Sequence, residues 1–312
     1  LGWSFLSQVE QCDSLIVVAR GWQSSAVTHL LGSVDPVRDL RLVVDELVAK
    51  DLETVRIAHQ GLQKLVDGRQ GGTQTVVEFR SVERVLQYLT TEKRPIRLGD
   101  HWTDQDVAMI SKMRLHSAKE MVYVVNLPAR EYLNVIEQGY ESRLSQPNWM
   151  ARAREMLSST YGETLVVPFS ADFEEKLCWI AARGPEALQG YFTANPSHSS
   201  IREDLIRYVF QSLNLIEFFT CGPEEVRSWT VPRGSLAPTA AGVIHADFEA
   251  DFISVEVESF TDLHELESEE AVKRDGRLQQ QGKKYIIQDG DICFFKFRLP
   301  NYRPGANLNN KV

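Results

Sequence analysis

The chain has 312 residues, 43% of them hydrophobic and 25% charged, with 34 Lys and Arg against 43 Asp and Glu for a net charge of -9. That composition is ordinary for a globular protein and too long for one small domain. Its negative sign argues against unspecific attraction to bulk DNA, RNA or anionic membrane. No apolar run reaches the ~18 residues of a membrane span, and no secretory signal opens the sequence. The four cysteines, Cys12, Cys178, Cys221 and Cys293, form no CxxC pair and are expected to be buried free thiols in a reducing cytosol.

In chain order, Leu1-Gly2-Trp3-Ser4-Phe5-Leu6 reads as the middle of an element, so the sequence is expected to open inside a domain. A short helix is expected from Ser4 to Gln11. Ser14 to Ala19 is an apolar run without alternation, the pattern of a strand buried on both faces. Asp35 and Pro36 suit the N-cap and first turn of a helix. From there Leu40, Val44, Leu47, Val55, Ala58, Leu62 and Leu65 form one helical stripe, interrupted by Asp51. Gly68, Gly71 and Gly72 mark a tip, after which Phe79, Val82, Leu86 and Leu89 form a second stripe. Two such helices predict an antiparallel hairpin of the coiled-coil type, either a projecting arm or an insertion packed on itself.

Thr103-Asp104-Gln105-Asp106 predicts a capped helix start. Met121 to Leu127 is the most continuous apolar run, the expected central strand of a helix-covered parallel sheet. It ends at Asn126, whose amide offers both a donor and an acceptor to a planar ring, or else caps a turn. Helices are expected near Glu131 to Gly139, near Asn148 to Leu157, from Pro185, and from Ile201 to Leu213. A third buried strand, Thr164 to Phe169, ends at Ser170-Ala171. Beyond Leu215 short β-type runs follow at Ile216 to Thr220, Val226 to Val231, Ile253 to Val257, Tyr285 to Ile287 and Ile292 to Phe297. A helix is expected near Ser268 to Gly276, and the polar tail after Pro300 reads as disordered.

Two strand ends, Asn126-Leu127 and Ser170-Ala171, stand in the order of the base-recognition half of a GTPase-type domain. The acidic residue expected three positions after the Asn is Ala129 here, with Glu131 two further on, so guanine donors would go unpaired. The sequence contains no GxxxxGK[ST] phosphate loop and no Mg²⁺-binding Asp or Thr at the matching spacing, so these residues are not expected to hydrolyse a nucleotide. His245 beside Asp247 has no nucleophile near it and reads as structural. His29, His59, His101, His116, His198 and His264 show no metal spacing. Lys283, Lys284, Lys296 and Arg298 among aromatics give a weak RNA-binding signal.

Longer strings carry a resemblance. Phe218 to Trp229, Ala240 to Glu249 and Tyr285 to Phe297 resemble the TGS domain of the Obg-like ATPase family, the YchF branch of the P-loop GTPases. Thr28 to Asp39 resembles that family's lead into a coiled-coil insertion, and Leu1 to Leu6 the segment after switch II. The resemblance implies an α/β fold: a partial G domain over residues 1–34 and 118–213, lacking its phosphate-loop half. It further implies a helical coiled-coil insertion over 35–117, a C-terminal α+β TGS domain of β-grasp type over 214–299, and a tail over 300–312. It implies a cytoplasmic hydrolase using Mg²⁺ with ATP, possibly GTP, with links to the ribosome and stress responses. Asn126 and Leu127 match the adenine-contacting positions, and Ser170 and Ala171 match the loop across the base. No catalytic residue or Mg²⁺ ligand carries over. The rival expectation is a non-hydrolysing adaptor that binds RNA, the ribosome or a protein.

Overall fold

A computed structural model of the protein describes residues 8–138, 148–161, 166–222 and 225–298. Most of the expected helix at Ser4 to Gln11, the segment Leu1 to Leu6, the first two residues of the third strand and the tail after Pro300 lie outside them. The chain divides after Ser212 into two compact units.

The first unit is built on three parallel strands in the order β1-β2-β3. These are β1 (Ser14–Arg20), β2 (Glu120–Asn126) and β3 (Val166–Phe169). β2 lies in the middle, and Met121 to Val125 are all buried, as an unalternating apolar run requires. β1 departs from the expected double burial. Ile16 is 48% and Val18 62% exposed, because β1 has a helix-covered face but no described residue over the other.

Asp35 caps α1 (Pro36–Asp67), its Oδ1 accepting from the backbone N–H of Val37 at 3.1 Å and of Arg38 at 3.2 Å. Residues 68–72 turn the chain into α2 (Thr73–Thr91), which packs back along α1, with the rings of His59 and Phe79 4.9 Å apart. Buried Leu40, Val44, Leu47 and Val55 face Val82, Val85 and Leu89 in one continuous core. At α3 (Asp104–Lys112), Thr103 and Asp106 form the expected capping box. Asp106 also takes the guanidinium of Arg84, 2.6 Å from Nη2 to Oδ1. Burial pushes the Asp106 carboxyl up, but hydrogen bonds from Arg84, Ser81 and Thr103 outweigh it and hold the group at about 2.

Asp51, which broke the first stripe, is fully buried. Its carboxylate accepts the backbone N–H of His116 at 2.8 Å and of Ser117 at 2.7 Å. It also accepts the Ser117 hydroxyl at 2.6 Å and sits 3.0 Å from His116 Nδ1. The Ser117 Oγ in turn accepts the Ile96 N–H at 3.3 Å. A buried carboxylate is costly unless it is hydrogen-bonded, and here the bonded group fastens the middle of α1 to the turn that launches β2. Next along, Lys119 Nζ donates to the carbonyls of Val9, at 2.6 Å, Glu10, at 2.7 Å, and Cys12, tying the stretch before β1 to the same corner.

The sheet's remaining connections are α4 (Ala129–Glu137), α5 (Asn148–Tyr161), α6 (Ala171–Ala181), α7 (Pro185–Ala194) and α8 (Arg202–Ser212). α6 is not among the helices expected from the sequence.

The second unit has a five-stranded mixed sheet in the order β5-β4-β8-β6-β7. Its elements in chain order are β4 (Leu215–Cys221), β5 (Val226–Pro232), α9 (Ala237–Ile244), α10 (Ala246–Ala250) and β6 (Phe252–Ser259), then α11 (Phe260–Leu266), α12 (Glu269–Arg274), β7 (Gln279–Gln281) and β8 (Asp291–Phe297). β4 runs parallel to β8, and every other pair is antiparallel. Ala237, Ala240 and Ala241 of α9 are fully buried against Phe218, Val255 and Phe295, because small side chains let the helix approach closely. Tyr285 to Ile287 is not a ladder strand. It makes one bridge, Leu236 to Ile286, and its Tyr285 hydroxyl donates to Asp291 at 2.9 Å.

Asp51→Ala would leave two buried N–H groups and a hydroxyl unpaired, at ~1–3 kcal/mol each, for a total of roughly 3 kcal/mol or more. The expected result is a melting temperature lower by about 5–10 °C. Glu53→Ala, which removes only the exposed partner of Lys50, should change stability by less than about 0.5 kcal/mol. Circular dichroism checks the first by thermal melting and the second by urea denaturation.

Candidate nucleotide-base site

Parallel strands put their carboxyl ends on one edge, which is where ligands of open α/β sheets bind. In register, Arg20, Asn126 and Phe169 form a row across β1, β2 and β3 at that edge. Beyond the row the three loops are laced together. The Gly21 N–H donates to the Asn126 carbonyl at 2.9 Å, and the Leu127 N–H donates to the Phe169 carbonyl at 2.8 Å. The Ala171 N–H donates to Asn126 Oδ1 at 3.0 Å.

That last bond fixes the amide of Asn126. A backbone N–H can only donate, so the atom facing it is the oxygen, and Nδ2 is turned the other way, a donor with no partner among the described residues. Asn126 and Ala171, 45 positions apart in sequence, are thus brought into direct contact. Leu127 is 2% exposed, with its N–H already spent, so only its carbonyl and the local backbone face outward. Ser170 is fully buried, and its Oγ accepts the Phe173 N–H at 3.3 Å as the N-cap of α6. Its side chain is therefore a structural cap, and Ala171 is the exposed member of the pair.

Ala129 is the first residue of α4 and packs partly against the core, while Glu131 is exposed in the same first turn. The third position after Asn126 thus carries a methyl group rather than a carboxylate.

The sequence reading missed the contribution of β1. Arg20 stacks its guanidinium on Trp22, 5.1 Å from the ring centre, and donates from Nη1 to the Val27 carbonyl at 3.1 Å. Its Nε is buried with no hydrogen-bond partner. Gly21 lies between them, where a Cβ would come within 2.7 Å of Leu127 Cδ2 and 2.8 Å of Val125 Cγ1. The signal was present in Arg20-Gly21-Trp22, which follows a buried-type strand just as Asn126 and Ser170 do.

His245 is settled as structural. Its Nδ1 accepts the Asp247 N–H at 3.2 Å, capping α10, and the ring is largely exposed. Among the described residues no three His, Cys, Asp or Glu side chains come together that could hold a metal ion. No described helix is long and apolar enough to cross a membrane.

Comparison with known proteins gives a consistent result. Residues 215–298 match the family model YchF-GTPase_C, described as a protein of unknown function (DUF933). The chain is 37% identical over 300 residues to Obg-like ATPase 1 of Rattus norvegicus, covering 96% of this chain and 72% of the relative. It is 38% identical over 299 residues to Obg-like ATPase 1 of Oryza sativa subsp. japonica, covering 96% and 71%. The solved Schizosaccharomyces pombe YchF GTPase superposes with a TM-score of 0.82 at 34% identity, covering 95% of this chain and 75% of that one.

Gly21→Ala forces a methyl group against two buried side chains that cannot withdraw. The expected loss is about 1–3 kcal/mol in urea denaturation. Gly282→Ala, where nothing lies within 4 Å of the new methyl, should lose none.

Proposed function

This chain belongs to the Obg-like ATPase family, YchF branch, and from that premise we propose that its first unit recognises the base of a purine nucleotide in a nucleotide-hydrolysing protein. The observation that carries this is the Asn126 to Ala171 bond, which leaves the Asn126 Nδ2 donor held in one direction at the ligand edge of the sheet. Both purines offer an acceptor at N7 that such a donor can meet. The flat Arg20–Trp22 stack one strand away gives a second surface for a planar ring.

With Ala129 in place of a carboxylate, guanine's N1–H and N2 amino group lose the acceptor they would share, whereas adenine carries neither of these two groups. ATP is therefore favoured over GTP. These 312 residues are assigned base recognition and no phosphate chemistry. The Mg²⁺ that the family uses with its nucleotide would neutralise phosphate charge, and among the described residues no three His, Cys, Asp or Glu side chains come together to hold an ion on their own.

We read the helical pair α1–α2 as the family's coiled-coil arm and residues 214–299 as its TGS domain, working in the cytoplasm on a ribosome-related partner. An RNA contact there would rest on Lys283, Lys284 and Arg298, which are exposed. Lys296 is paired with Glu256, which weakens the basic patch. The adaptor reading, without nucleotide dependence, is favoured by no specific contact in the structure.

In a fusion of this chain to the part of the Schizosaccharomyces pombe relative outside the matched region, Mg²⁺-ATP binding measured by calorimetry should weaken at least ~10-fold on Asn126→Ala, the loss of one buried-site hydrogen bond. Unchanged affinity would remove the base-site reading. In the same fusion, Ala129→Glu should move the ATP/GTP affinity ratio toward GTP by ~10-fold or more, since a carboxylate would pair the guanine donors. An unmoved ratio would overturn the explanation given for this loop.

A further inference from the structure

The sheet of the second unit has one face covered by α9 and the other only partly covered. Alternation along β6 and β8 sends Val255, Val257, Cys293 and Phe295 into the core. The opposite face carries the directly paired residues Glu256 with Phe294 and Glu258 with Ile292. Over one end of this second face lies α12, leaving a cleft of about 350 Å³ lined by Glu256, Glu258, Glu269 and Glu270, with an apolar side made by Ile292 and Phe294.

Four carboxylates on a small cleft, of which Glu256 is already paired with Lys296, would by themselves be a solvated acidic surface. Glu258 makes this one different. It is 4% exposed, and its Oε2 is buried with no hydrogen-bond partner among the described residues. A buried, unpaired carboxylate oxygen is costly and is tolerated where something outside the fold completes it. Burial, and then the neighbouring charges of Glu269 and Asp262, push the Glu258 carboxyl above its ordinary value. The folded chain therefore holds that proton more tightly than the unfolded chain, and its stability falls as pH rises above the ordinary carboxylate range. When ionised, the group is a cost that a cation in the cleft would relieve. Lys273, also on the cleft, is exposed on α12 beside Glu269 and Glu270 and makes no bond to Oε2.

We propose that this cleft is a docking site for an arginine side chain presented by a partner protein. A metal ion does not fit, because the carboxylates do not converge as a ligand group. A guanidinium does fit the mixed lining. It is planar, carries five donors to spread over separated carboxylates, and keeps its charge at any working pH. Its methylene stem can lie along Ile292, and its face can lie on the exposed ring of Phe294. The volume is at the small end for a ligand pocket, suited to one side chain rather than a large cofactor.

The test is a methyl NMR titration of the full chain, following the Ile292 methyl. The probes are the capped peptide Ala-Arg-Ala, its citrulline and lysine counterparts, and spermidine. The expected result is a saturable shift with the arginine peptide at an affinity ~10-fold or more above the other three. Glu258→Gln, nearly isosteric and uncharged, should abolish that preference while raising or preserving the melting temperature, which separates lost recognition from lost folding. Equal responses to arginine and citrulline, or to arginine and spermidine, would overturn the proposal. So would an arginine preference that survives Glu258→Gln, or one lost only because that variant melts lower than the parent.

Discussion

The first unit depends on one buried carboxylate. Asp51 projects from the middle of the 32-residue helix α1 and closes four polar contacts on His116 and Ser117. Those two residues form the turn immediately before β2, so the bond network sets where the central strand begins. The parallel register then carries that setting to its far end, where Asn126 meets Phe169 and Ala171. Apolar packing along α1 supplies most of the burial, but it is tolerant of small slips along the helix axis. Directional hydrogen bonds to a charged acceptor are not tolerant, and they convert a packed helix into a positioned one.

The ligand edge shows the same division between packing and direction. Val124, Val125 and Leu127 bury the end of β2, while backbone bonds from Gly21 and Leu127 hold three loops at a common level. Gly21 is required there for closeness rather than for an unusual backbone angle. The Asn126 side chain is tied at its oxygen and has no partner at its nitrogen among the described residues, which is the state of a preorganised donor. A donor held this way loses little entropy on binding a ring. The second unit contrasts with it. Its core gathers around Phe218 and Phe295, yet on the other face of the sheet it keeps a carboxylate oxygen, Glu258 Oε2, with no partner among the described residues.

Much of this was legible in the sequence where the determinants are local. The β2 run from Met121 announces a doubly buried strand, and the caps at Asp35 and Thr103 mark helix starts because their hydrogen bonds span only two or three residues. Asp51 read as a flaw in a stripe because its partners lie 65 and 66 positions away. Nothing near it in sequence shows that a turn will arrive there. Ile16 and Val18 read as buried because pattern alone gives the preference of a side chain, not whether anything comes to cover it. α9, from Ala237 to Ile244, has too many small residues to draw a stripe, and β7 is three glutamines held by pairing with Val255 to Val257. Tyr285 to Ile287 has strand-type residues but no ladder, since its backbone groups bond to Ser235 and Ala237 instead. At the base site, the sequence showed Asn126 and Ala171 as separate candidates, and the fold supplied their contact. The roles of Ser170 as a cap and of Gly21 as a spacer required the neighbours to be seen.

The most direct test of the account is a crystal structure of the protein with a bound purine nucleotide. The account predicts the base over the carboxyl ends of β1, β2 and β3, with Asn126 Nδ2 within about 3 Å of a ring acceptor and the Ala171 N–H still on Oδ1. A base bound elsewhere, with the Asn126 amide left facing solvent, would contradict it.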